Sequence, residues 1–203
     1  MLQPTATLEC RVIDLQGKPV AEADVYAQGD AIGKRQLFGK TDKNGKVSIS
    51  GLPPGEYFVD ALKISEGYPR HFGRIYDTEK RVWQLVKVTS AATLPLTFQL
   101  GPKCGILELT IEGPDGKPDG GSVKISRVDR ADLGSLTSGH SLSGYQTYLL
   151  PPDVLIRIQV GPDADREGQY AVWQSDPIRA KPGDRLKWKI KFGKQQTTVQ
   201  RQM

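Results

Sequence analysis

Apolar residues recur along this chain at every second position, in short runs, and the scheme occurs twice. Leu8, Cys10 and Val12 share one parity. So do Val25 and Ala27, Val47 and Ile49, the trio Tyr57, Val59 and Ala61, and the run Leu94, Leu96, Phe98 and Leu100. The second half answers with Leu107, Leu109 and Ile111; Val123 and Ile125; Val154, Ile156, Ile158 and Val160; then Leu186, Trp188, Ile190 and Phe192. A period of two sends alternate side chains to opposite faces, so each run predicts a strand with one face in a core and one in water. Helical periodicity is nearly absent. Turn sequences separate the runs, among them Gln16-Gly17-Lys18-Pro19, Lys43-Asn44-Gly45, Asp115-Gly116-Lys117-Pro118 and Lys181-Pro182-Gly183-Asp184. Asn44-Gly45 accepts the positive φ of a tight hairpin. Pro53-Pro54 has no amide hydrogen to give a ladder, so the chain must leave its sheet there.

The two halves use the same order of parts. GKP turns fall at 17–19 and 116–118, LPP turns at 52–54 and 150–152, and VWQ at 82–84 and 172–174. A repeat this long sets domain count before any single residue is weighed. It predicts an all-β chain of two tandem antiparallel β-sandwiches. The first spans 5–101 and the second, divergent copy spans 102–193, with 194–203 as a polar tail. Each unit has roughly 95 residues, enough to hide about two-thirds of its unfolded surface without covalent staples. The boundary falls near Gly101-Pro102-Lys103, in a linker of about five residues that restricts relative motion. Two segments break the pattern and read as loops: 64–80, aromatic and charged, and 129–143, rich in Ser, Gly and Asp.

The first unit resembles the carboxypeptidase regulatory-like domain, a transthyretin-like β-sandwich of the carbohydrate-binding-like fold group. Gly17, Pro19, Ala23, Thr41, Asp42, Gly45, Leu52, Pro53, Pro54, Gly55 and Tyr57 carry the likeness over residues 5–62. The second unit keeps Gly116, Pro118, Gly144, Leu150, Pro151 and Pro152. It departs at Asp153, where Gly is expected, and it has no tyrosine after the LPP turn. Tyr57 is of the kind that plugs one end of a sandwich, ring buried and hydroxyl paired. The resemblance implies a transthyretin-like or Ig-like pair of sandwiches. It also implies a non-catalytic module, of the sort found in extracytoplasmic bacterial proteins or appended to enzymes and receptors. It carries over no catalytic residue and no cofactor.

Composition narrows the picture. The 22 glycines and 14 prolines among 203 residues suit many turns between short strands. The net charge of +5 is spread evenly, with 13 basic and 11 acidic side chains in residues 1–100 and 15 and 12 in residues 101–203. Neither half is a basic domain of the nucleic-acid-binding type, so no nucleic-acid partner is expected. No stretch approaches the roughly 18 apolar residues of a membrane helix, so no membrane span is expected. Residues 1–10 lack the charged-then-apolar pattern of a leader, and Cys10 lacks the small residues that precede a lipoprotein cysteine. The compartment expected from the resemblance is periplasm, cell surface or medium, with any leader removed; the residues alone leave the cytoplasm open. Cys10 lies on the apolar parity and predicts a buried thiol. A Cys10–Cys104 disulfide stays open on sequence grounds.

Candidate chemistry is sparse. His71 and His140, the only histidines, have no neighbour at metal-ligand spacing, so no metal site is assigned. An iron site of the intradiol dioxygenase type would need both in one unit. The Ser-rich stretch around His140 lacks a nucleophile elbow and an orienting acid. Asp42-Lys43-Asn44-Gly45 lacks the further acids of a calcium loop and reads as a hairpin turn. Trp83 and Trp173, at matching places, fit core or junction packing, with a sugar-stacking platform as the alternative. Tyr68, His71, Phe72 and Tyr76 are the candidate ligand-binding aromatics, the other reading being a lid folded over the sandwich. Lys187, Lys189 and Lys191 make one basic strand face, a candidate for polyanions or a guard on a sheet edge. The function expected is a non-catalytic spacer and protein-binding pair. A carbohydrate-binding module using loop aromatics is the alternative, and polyanion binding through the basic strand is the third reading.

Overall fold

The computed structural model describes residues 5–33, 36–69, 84–89, 92–130, 132, 134–141, 143–163, 169–194 and 196–202. Among them the chain is all-β, with single 3-10 turns at Asp30–Ile32 and Ile64–Glu66. It divides into two compact units, one ending at Pro102 and the next beginning at Lys103.

The first unit holds β1 (Ala6–Ile13), β2 (Asp24–Gln28), β3 (Gln36–Lys40), β4 (Lys46–Leu52), β5 (Gly55–Leu62), β6 (Gln84–Val88) and β7 (Thr93–Gln99). They form two sheets, β4-β1-β7 and β3-β2-β5-β6. Leu8, Cys10 and Val12 from the first sheet meet Val25, Ala27, Tyr57 and Val59 from the second in one buried cluster. That is the predicted alternation closing on itself as a sandwich. Val47, Leu94 and Leu96 reach the same core from its rim and stay half-buried.

The second unit repeats this plan. Its strands are β8 (Gly105–Glu112), β9 (Gly121–Arg127), β10 (Ser135–Ser141), β11 (Tyr145–Leu150), β12 (Leu155–Gly161), β13 (Trp173–Gln174), β14 (Ile178–Arg179), β15 (Arg185–Lys191) and β16 (Thr198–Gln202). The sheets are β11-β8-β15-β16 and β10-β9-β12-β13, with β14 also paired to β12. Strand for strand, β8 answers β1, β9 answers β2, and β15 answers β7. The place of β6 is taken by β13 and β14 together. Pro177 lies between them, where a ladder donor is missing. Buried Ser175 bridges that gap, its hydroxyl accepting from Ile158 N at 3.0 Å. Pairing is mostly antiparallel, but β1 with β7 and β8 with β15 run parallel, one such pair in each unit.

Two sequence expectations need correction. Residues 129–143 were expected to be irregular, yet β10 lies within them, paired antiparallel to β9 from Ser135↔Ser126 to Ser141↔Gly121. Its Ser- and Gly-rich composition hides a strand because one apolar side chain, Leu136, anchors it in the core and its ladder to β9 does the rest. Residues 194–203 were expected to be a polar tail, yet β16 pairs with β15 from Lys187↔Gln202 to Lys191↔Thr198. The lysine strand is therefore flanked on both sides and is not a sheet edge. The Cys10–Cys104 disulfide, open on sequence grounds, is not formed, and both thiols are buried.

The first unit has no counterpart of β16 among the described residues, and β7 shows why. Pro95 occupies the place of Lys187, whose amide faces β16. Proline has no hydrogen to offer a further strand there. Two residues on, the Thr97 carbonyl accepts from Gln84 Nε2 at 2.6 Å. One copy extends its sheet at this edge, and the other blunts it.

Candidate functional site

The residues that make the repeat recognisable are engaged in the scaffold. Buried Thr41 accepts from Ala23 N at 2.8 Å and donates to Val20 O at 2.7 Å, so one hydroxyl satisfies two backbone groups. Asp42 Oδ1 accepts from Asn44 N and Lys46 N, both at 2.8 Å, and closes the hairpin turn. The Lys46 amide, then the Asn44 amide, hold the Asp42 carboxyl below its ordinary value. Asp14 Oδ1 accepts from Gln16 N and Lys18 N, both at 2.9 Å, in the preceding turn. Tyr57 is fully buried and its hydroxyl donates to Pro53 O at 2.8 Å. Gly45 and Gly144 sit at matching places with φ of 71° and 70°. A Cβ there would meet the carbonyl of Val12 at 2.5 Å or of Ile111 at 2.8 Å, so the hairpin turns must be glycine. Gly55 faces Ala31, with room for no Cβ beyond 2.7 Å. Its counterpart Asp153 instead takes φ 59°, a conformation Asp tolerates.

The candidate residues named from sequence separate. Tyr68 is 3% exposed and packs in the core of the first unit, where burial is the first cause raising its phenol. His71, Phe72 and Tyr76 lie outside the described residues, as does Trp83. Trp173 is half-buried against the second core, edge-on to Trp188 at 5.5 Å between ring centroids. Arg201 of β16 lies over both rings, at 5.0 Å from Trp188 and 5.7 Å from Trp173. Among the described residues no group of three or more His, Cys, Asp and Glu side chains is arranged to hold a metal ion.

Lys187, Lys189 and Lys191 all project from the outer face of β15, as does Arg185. The parallel neighbour β8 sets Glu108 and Glu112 among them. Lys187 pairs with Glu108 at 3.3 Å, Arg185 with Glu108 at 3.4 Å, and Lys189 with Glu112 at 2.7 Å. Acids on β8 thus compensate the basic strand. Across this face runs an open groove of about 330 Å³, lined by Glu108, Thr110, Tyr145, Lys187, Lys189 and Gln200 and floored at Trp188. Tyr145, Thr110, Lys189 and Gln200 form one row across four strands. Tyr145 is 54% exposed.

A second surface escaped the sequence reading. On the outer face of β3-β2-β5-β6, Phe38 is 51% exposed, Phe58 52% and Leu85 55%. Phe58 lies directly across from Leu85, and Phe38 from Tyr26, whose ring is 5.1 Å away. The Asp24–Lys40 ion pair, 3.0 Å, borders them. The second unit has polar residues at the matching places. Register sets Lys124 for Tyr26, Ser138 for Phe38 and Arg157 for Phe58. The signal was present as apolar residues on the wrong parity, and it is visible only once the register of both copies is known.

No family profile and no curated protein matches the sequence. Among solved structures, the chain is similar to the TIE protein of Bacillus anthracis, with TM-score 0.40 and 15% identity, over 93% of this chain and 34% of that one. It is similar to a streptococcal ancillary pilin, with TM-score 0.38 and 14% identity, over 89% of this chain and 62% of the pilin. It is also similar to 3-chlorocatechol 1,2-dioxygenase of Rhodococcus opacus, with TM-score 0.34 and 14% identity, over 49% of this chain and 61% of the enzyme. The chain spans about a third of the first of these and less than two-thirds of the others. Scores and identities this low record likenesses and carry no argument about function.

Proposed function

We propose that this chain is a non-catalytic interaction module, a tandem pair of carboxypeptidase-regulatory-like sandwiches, the first at 5–101 and the second running from 102 through β16. It spaces neighbouring parts of an exported bacterial protein and binds a protein partner through the first unit. The observation that carries this is the apolar face made by Phe38, Phe58 and Leu85. Outward positions of a sandwich sheet are polar by default, and the second unit obeys that rule at the same places. Phe58 beside Leu85 in one row, and Phe38 beside Tyr26 in the next, break it and gain the core nothing. Such a departure marks a surface kept for contact.

The test is thermodynamic. Phe38→Ser combined with Phe58→Arg installs the residues of the second unit, and Leu85→Gln removes the third apolar group. A face that serves only contact leaves the unfolding free energy within about 0.5 kcal/mol of the parent. A loss above about 2 kcal/mol would show that these side chains belong to the fold and would remove the proposal. The enzymatic alternative is checked by metal analysis of the purified chain, where stoichiometric iron or zinc would overturn the reading.

A further inference from the structure

The groove on the outer face of β11-β8-β15-β16 stands on different residues from the apolar face and goes beyond the reading above. We infer that it is a binding site for an acidic polysaccharide, a chain of uronate sugars laid across the strands. Four features of the groove select that chemistry.

The first is shape. The row Tyr145–Thr110–Lys189–Gln200 crosses four strands and so runs about 14 Å, long enough for an extended chain rather than a single small molecule. The second is the exposed Tyr145 ring at one end. Its flat apolar face suits the C–H face of a sugar ring, while its hydroxyl remains in water. The third is the mixture of polar groups. Glu108 only accepts, the lysines only donate, and Thr110 and Gln200 do both. Sugar hydroxyls donate and accept, so this set can satisfy them. A peptide would want main-chain partners, but this surface is a sheet face that presents side chains alone. The fourth is charge. Arg185, Lys187, Lys189 and Lys191 share the outer face with Glu108 and Glu112, which leaves a modest positive excess. That excess fits spaced carboxylates. A nucleic acid would need a ring for each successive base, and the lining offers Tyr145 alone as an exposed aromatic, with Trp188 buried.

The internal repeat supplies a control. At the places of Tyr145, Lys187 and Lys189 the first unit has Lys46, Pro95 and Thr97. It therefore offers neither the ring nor the paired lysines. Gln200 belongs to β16, which has no counterpart in the described part of the first unit. The groove is a property of one copy, built by the strand that the other lacks.

Calorimetric titration of the full chain with oligomers of polygalacturonate, alginate and hyaluronan tests the site, with methyl-esterified polygalacturonate as the neutral control. The expected result is binding to at least one uronate oligomer, weakened by added salt, with no binding to the esterified control. Tyr145→Ala and Lys189→Gln each lower affinity about tenfold, while the far-UV spectrum and unfolding midpoint stay unchanged. Lys187→Gln is a second lysine variant should Lys189→Gln disturb the sheet. Lys124→Gln, on the other sheet, has no effect. Absence of binding to all three uronate oligomers overturns the inference. So does affinity that survives Tyr145→Ala, or a single-stranded oligonucleotide that binds equally well at the same salt. These outcomes leave the apolar face of the first unit untouched, since none of the variants lies on it.

Discussion

At the scale of single residues, the recurring motif is a set of backbone repairs. Thr41 satisfies a buried amide and a buried carbonyl with one hydroxyl. Thr41→Val keeps the shape and orphans both, so we expect a loss of about 1–3 kcal/mol by chemical denaturation. No change would mean that water reaches those groups. Asp42 acts through its charge as well as its geometry. Its folded pKa is depressed below the ordinary value of 3.8. The stabilisation is therefore complete above that value and fades as pH falls through the folded one. The parent should exceed Asp42→Asn in melting temperature at neutral pH, and the gap should close in strong acid. A gap independent of pH would remove the charge from the account. Cys10 is pushed up to about 12, first by burial and then by Glu9. Native chain should resist alkylation at mildly alkaline pH at both thiols and take two labels once unfolded. Rapid native labelling would contradict the buried placement. The Thr41 bonds were not legible in sequence, since Ala23 and Val20 lie 18 and 21 residues away, whereas the roles of Asp42 and Tyr57 are local. The Asp42 turn and the buried Tyr57 plug needed no knowledge of partners far along the chain.

At the scale of elements, legibility follows the apolar alternation and fails where a single apolar side chain and backbone pairing make the strand. Val25 and Ala27 announce β2. Ser135–Ser141 holds a single apolar residue, Leu136, so no alternation announces β10, which is held by that buried side chain and by its ladder to β9. The same holds for β16, whose sequence is polar but whose partner β15 is strongly patterned. Register, too, was invisible from one copy at a time. Phe58 and Leu85 meet because β5 and β6 pair as they do, and the exposed face they form was not readable beforehand. The basic strand was seen as a set of lysines, but Glu108 and Glu112, which compensate it, are assigned to it only by the parallel pairing of β15 with β8. The element whose loss should matter most is β16. It covers the outward amides of β15 and sets Arg201 over Trp173 and Trp188. A chain ending at Gly193 should unfold at lower denaturant and self-associate through the exposed β15 edge, as seen by light scattering. A monomer of unchanged stability would show that β16 is dispensable. The first unit should not respond in this way, because Pro95 and the Gln84–Thr97 bond already blunt β7.

At the scale of the whole molecule, one plan is used twice and differs on its outer faces. The cores agree closely: Leu8, Val12 and Val59 in one unit do the work of Leu107, Ile111 and Ile158 in the other. Divergence is concentrated where side chains face water. One copy turns Phe38, Phe58 and Leu85 outward, and the other turns outward a tyrosine, paired lysines and two acids. The proposed contacts lie on those surfaces, each carried by the sheets of its own unit. The most direct measurement is photo-crosslinking in the native host, with a benzophenone side chain placed singly at positions 38, 58, 138 and 157. The account predicts one discrete protein adduct from positions 38 and 58 and none from 138 and 157. Absence of adducts at all four positions, or equal adducts from both units, would contradict it.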